Sequence, residues 1–195
     1  MKFLNPNKPL TGCSRQTCTD CPIRDEIHCH FNGRDLVHFL LAMFPSFLIG
    51  GVALVRTSGW LMLGGWILFI LLFFGMIEIR VLCSHCPHYA EPGNHLQCWA
   101  NYGSPRLWKY RPGPMSMLEQ MILIVGLIGI FIFPDFLLLI NRYWGILLLH
   151  LISIAAAFTY MQGSMCNKCI NLTCPLNRTS DQVRTLFSGF HTDKE

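Results

Sequence analysis

Four apolar runs, at residues 36–55, 60–82, 118–140 and 144–161, leave this chain few ways to fold. Each is about 20 residues long, and at about 1.5 Å of rise per residue a helix of that length matches a hydrocarbon layer of about 30 Å. Hydrophobic residues make up 52% of the 195 and charged residues only 13%, against roughly 25% charged in an ordinary soluble domain. That balance excludes intrinsic disorder and argues against a soluble globule. The second run carries no charge before Glu78 and is the clearest span. The third holds Pro134 and Asp135, and the proline is expected to kink the helix or end it early, which would leave 136–140 in the interface. Residues 56–59 and 141–143 read as tight turns. The expected fold is an all-α integral membrane protein of four transmembrane helices in two hairpins. Its units are a Cys-rich amino-terminal segment (1–35), a membrane domain (36–163) that includes a polar Cys/His loop (83–117), and a Cys-containing tail (164–195). A short amphipathic helix is expected near 183–187.

An even number of spans puts both termini and the long loop on one side. Only Arg56 and Arg142 fall in the opposite turns, leaving 13 of the 15 Lys and Arg on the first side. Such a bias in short segments places that side in the cytoplasm. Nothing in 1–35 has the charged start and apolar stretch of a signal peptide, so the amino terminus is expected to be retained. The net charge of +4 raises nucleic-acid binding as an option. The basic residues flank spans rather than forming a dense stripe, so no nucleic-acid partner is expected. The lipid bilayer is the partner that the composition requires.

Ten cysteines is far more than helix packing needs, and all of them lie on the side read as cytoplasmic. A reducing compartment disfavours structural disulfides, so clustered CxxC spacing points to metal ligation. Cys13, Cys18, Cys21 and Cys29 form the first cluster, the leading three at the spacing of plant-type two-iron ferredoxins, whose fourth ligand lies much further along. Cys83, Cys86, His88, His95 and Cys98 form the second, and Cys166, Cys169 and Cys174 the third. Two residues between thiolates let one backbone turn direct both sulfurs at an ion while its amides bond to them, which serves zinc and iron–sulfur clusters alike. Cys21, Cys86 and Cys174 precede proline, which favours iron–sulfur; the alternating Cys and His of the second cluster favours zinc. Cys83 and Cys86 recur as Cys166 and Cys169 at an offset of 83 (166 minus 83, and 169 minus 86). The offset suggests a parallel pseudo-repeat whose four thiolates meet around one ion, leaving Cys98 or Cys174 to join the amino-terminal cysteines.

Ionisable residues within spans are costly and are usually functional or interfacial. His38, Glu78 and Glu119 share a level beneath the cysteine face and are expected to bound a cofactor pocket suited to a quinone head group. Asp135 is placed to neutralise Arg142. Three functions follow. The first is electron transfer through a Cys-ligated centre between a cytoplasmic partner and the membrane pool. The second is a zinc-stabilised docking or assembly protein, with 106–114 as its aromatic, cationic contact. The third is thiol–disulfide exchange, because four spans with CxxC pairs resemble the membrane enzymes that generate disulfides using quinone. Those enzymes act at the oxidising face, however, and the charge bias turns these cysteines inward.

Overall fold

The computed structural model describes residues 21–192, which form helices and no strand. The amino-terminal part of the first cysteine cluster, Cys13 and Cys18, lies outside the described residues. Asn32 caps α1 (Gly33–Ser58), accepting the Arg34 amide at 3.0 Å. The chain reverses at Gly59, whose φ of 83° suits a residue without a Cβ, and whose amide bonds to the Leu54 and Val55 carbonyls. The second span is α2 (Trp60–Leu72), a π turn (Phe73–Ile77) and α3 (Glu78–Val81). Ser116 and Glu119 form a capping box on α4 (Met117–Ile140), and α5 (Trp144–Ser164) returns. A final helix, α6 (Asp181–Thr192), follows.

The spans Gly33–Ser58, Trp60–His85, Met117–Ile140 and Trp144–Lys168 are long and apolar enough to cross a membrane. Only 11–33% of their most apolar windows is buried within the chain. Leu41, Leu61, Leu118 and Leu148 are among the large side chains left on the outer surface. So much exposed apolar surface is compatible with contact to a lipid bilayer. Inside, α1 touches α2, α4 and α5, and α4 also packs on α5. Phe73, on the π turn, fills the notch at Gly126, where a Cβ would overlap its ring.

The helices extend past the apolar runs: α1 starts at its polar cap and continues to Ser58, so the expected 56–59 turn contracts to Gly59. The third span is also uninterrupted. Pro134 has no amide for the Ile130 carbonyl four residues back, and the Trp66 indole N–H supplies that bond at 3.1 Å. A donor from another helix thus lets the proline stay inside α4. Asp135 does not neutralise Arg142 but faces inward. Its carboxylate lies 2.7 Å from His150 Nδ1, and His150 Nε2 donates to the Ser46 carbonyl at 3.0 Å. The Ser46 and Ser153 hydroxyls meet beside this pair at 2.9 Å. Outside the bundle, Val183 and Phe187 of α6 pack with Ile23, Ile27, Ile170, Leu172 and Cys86 into a small apolar cap over one end.

Candidate functional site

The two CxxC motifs end the second and fourth spans in the same conformation. Leu82 leaves its helix at φ −114°, ψ −57°, Cys83–His85 make a 3-10 turn, and Cys86 is extended at −78°, 141°. Met165 leaves at −118°, −51°, Cys166–Lys168 make a 3-10 turn, and Cys169 is extended at −81°, 132°. The offset seen in the sequence is therefore a repeated local structure, in which a helix end tightens and the second cysteine turns back.

Two further cysteines are delivered by loops. Leu96 and Tyr89 bury against Ile79 and Cys83, and the Leu96 amide bonds to Ser104 while Gly103 bonds to Leu96, which closes a loop that carries Cys98. Trp99 then meets Phe39 edge-on at 5.4 Å, and Tyr102 stacks on Phe31 at 4.0 Å, fastening this loop to the start of α1. Past α5, the Asn177 side chain donates to the Cys169 and Asn171 carbonyls at 2.7 and 3.1 Å. The Cys174 amide closes a turn on the Asn171 carbonyl.

These segments surround a cavity of about 630 Å³ at one end of the bundle, lined by Cys83, Cys86, Cys98, Cys166, Cys169 and Cys174 together with Glu78, His88 and Asn101. Cys83 lies within electrostatic reach of Cys86, Cys98 and Cys174. Cys86 is in reach of Cys169 and Cys98, and Cys169 of Cys174, Cys166 and Cys98. None of the six cavity cysteines is joined in a disulfide. Burial raises the Cys86 and Cys169 thiols and pushes Cys98 up to about 11 and Cys174 up to about 12, with neighbouring sulfurs or carboxylates adding to it.

The backbone works the other way. The Asn101 amide donates to Cys98 Sγ at 3.2 Å, and the amides of His88, Asn171 and Leu176, each two residues past Cys86, Cys169 or Cys174, lower those thiols against the effect of burial. After Cys86 and Cys174 the intervening proline offers no competing donor. Amides directed at sulfur favour the thiolate, while the apolar surroundings deny it a counter-charge. A cation among the sulfurs would resolve that conflict.

Glu78 is buried and accepts the Asn101 side-chain amide at 3.1 Å on both oxygens; the same amide lies 3.3 Å from Cys83 Sγ. His88 is held by Glu91 through Nδ1 at 2.7 Å. Its other ring nitrogen is then the bare one in the neutral tautomer, as a metal-ligating histidine requires. Among the described residues no three His, Cys, Asp or Glu side chains converge as the ligand set of one ion. The sulfurs ring the cavity instead of meeting at a point.

Six of the cysteines expected to bind metal thus come together with His88, and Cys98 and Cys174 join the CxxC pairs rather than the amino-terminal cluster. Cys21 and Cys29 pack against the apolar cap and do not line the cavity. His95 is exposed, with Nδ1 3.2 Å from the Gly103 carbonyl, and also lies away from it. Of the polar layer, Glu78 lines the cavity and His38 and Glu119 do not. Glu119 is occupied by Arg111 at 2.6 Å, by His85 at 3.5 Å and by its capping box. The 106–114 loop is likewise tied inward. Arg106 bonds to the Glu91, Gly93 and His88 carbonyls, and Arg111 to Arg80 and Ser84. Asn101, Asn177 and Glu91 escaped the sequence reading. Glu91 stands three residues after His88, a spacing that could have flagged it, whereas the two asparagines carry no signal beyond closeness to a cysteine. No protein-family model, no curated protein and no solved structure matches this chain.

Proposed function

We propose that this chain is a membrane-integral electron carrier whose cysteine-lined cavity holds an iron–sulfur cluster. In this reading the cluster exchanges electrons between a water-soluble partner and the membrane pool. The observation that carries it is the gathering of six cysteine sulfurs around one apolar cavity, with a backbone amide donated to Cys98 Sγ, a surrounding that stabilises thiolate only when a cation sits among the sulfurs. In a four-iron cluster each thiolate binds a different iron, so ligand sulfurs stand apart around the group. A ring of six thiols with no single point of convergence suits that better than it suits one ion. Four of the six cavity cysteines, Cys83, Cys86, Cys98, Cys166, Cys169 and Cys174, would supply the thiolates, and the Lys/Arg bias would face them to the cytoplasm.

A zinc-stabilised docking protein is the second reading. It is favoured by His88, whose orientation by Glu91 adds an imidazole to the thiols, and mixed Cys/His sets are the habit of zinc. Thiol–disulfide exchange has the opposite requirement, an accessible thiol of lowered pKa, and burial raises these. Anaerobic purification followed by iron, zinc and acid-labile sulfide determination separates the readings. Iron and sulfide in equal amounts, with visible charge-transfer absorption lost in Cys86→Ser and Cys169→Ser, is the expected result. A colourless protein carrying zinc would replace the first reading with the second, and a protein devoid of both metals would end both.

A further inference from the structure

The cavity does not stop at the sulfurs. Below them it continues between the helices as a lobe walled by Phe39, Phe47, Phe74, Phe131 and Phe158, with Trp99 near the cysteine end. Leu40 and Phe44, 54% and 60% exposed on the outer face of α1, also line it, so the lobe opens toward the lipid. We propose that this lobe binds a lipid-soluble quinone, with the ring between the aromatic walls and below the Glu78–Asn101 pair; this deepens the electron-carrier reading and rests on it. The whole cavity, sulfur end included, measures about 630 Å³, within the range of small-molecule sites, roughly 300–1,000 Å³, and the aromatic lobe is the part of it nearer the lipid.

Charge selects the class of ligand. No Lys or Arg among the described residues lines the cavity; its polar end presents Glu78, six thiols, asparagine side chains and His88, the last already paired with the Glu91 carboxylate at 2.7 Å. A fatty acid or an anionic phospholipid would bring its head group against Glu78 with no cation to receive it. A neutral head with carbonyl or hydroxyl oxygens can instead accept from the Asn101 amide or donate to the Glu78 carboxylate. A flat ring gains from offset or edge contact with phenylalanines, and a long apolar tail can leave past Leu40 and Phe44 into the bilayer.

The test uses full-length protein in detergent and a short-chain naphthoquinone as probe, with binding followed by titration calorimetry and iron determined on the same samples. Wild-type protein is expected to bind the probe saturably. Leu127→Trp, which puts bulk into the lobe away from the sulfurs, is expected to weaken binding at least tenfold with iron content unchanged. Phe158→Leu, which removes a ring at little cost in volume, is expected to weaken it several-fold and keeps the test intact should the tryptophan variant fail to fold. Oleate at equal concentration should not compete. Iron present with no saturable probe binding, unchanged binding in both folded variants, or equal competition by oleate would each overturn the proposal while leaving the metal reading untouched. Saturable probe binding by iron-free protein would support the quinone site and remove the cluster.

Discussion

Replacing Trp66 by Phe tests whether an indole on one helix sustains a proline inside another. Trp66 is 7% exposed and Ile130 fully buried, so when the 3.1 Å bond from Nε1 is lost the Ile130 carbonyl has neither water nor a helical amide to turn to. Leaving a buried acceptor unsatisfied costs about 1–3 kcal/mol. Removing the larger ring adds a packing loss, so the single variant alone cannot isolate the bond. Pro134→Ala restores the amide that the Ile130 carbonyl lacks, and in that background Trp66→Phe should cost only the packing loss. The expected coupling in the double-mutant cycle is therefore about 1–2 kcal/mol, with the proline background the more sensitive. Reversible unfolding in mixed micelles, read by circular dichroism, measures it. Equal cost of Trp66→Phe in both backgrounds would show that the indole does not replace the missing amide.

Four other outcomes follow from packing and burial elsewhere in the chain. Gly126→Ala should destabilise the bundle by about 1–3 kcal/mol, because the new methyl overlaps the Phe73 ring, and adding Phe73→Leu should recover much of this in the same unfolding assay. Asp135→Leu strips His150 of its buried partner and should cost about 3 kcal/mol, whereas Asp135→Asn, which keeps a polar partner at 2.7 Å, should cost clearly less; equal losses would mean that the pair is not what holds this level together. The third concerns pH. Burial raises Cys98 from 9.0 to about 11 in the metal-free fold, so the folded state holds that proton more tightly than the unfolded state. Its contribution is complete below pH 9 and disappears as pH climbs toward 11, a loss on the order of 2 kcal/mol. Cys98→Ala should flatten that part of the stability curve. By the same logic, loading iron or zinc at pH 7.5 should release nearly one proton per thiolate bound, measurable with an indicator dye in weak buffer.

The sequence alone determined the four spans, because crossing a bilayer is a matter of run length and of a backbone that satisfies its own hydrogen bonds within each helix. It also determined that CxxC motifs end the second and fourth spans, and the offset of 83 foretold their shared conformation. Nothing local in the chain could decide which sulfurs share a cavity. Cys98 and Cys174 arrive there through loop closures at Leu96 and Asn171, and His95, close to Cys98 in sequence, is carried away. The fate of Glu119 turned on Arg111 and His85 reaching it first, and that of Asp135 on a histidine from the next helix. Helix continuity through Pro134 depended on a tryptophan 64 residues distant from the carbonyl it serves. Periodicity and composition record what each segment does with its solvent; which polar groups meet is decided by packing between helices, and a short-range pattern holds no trace of that.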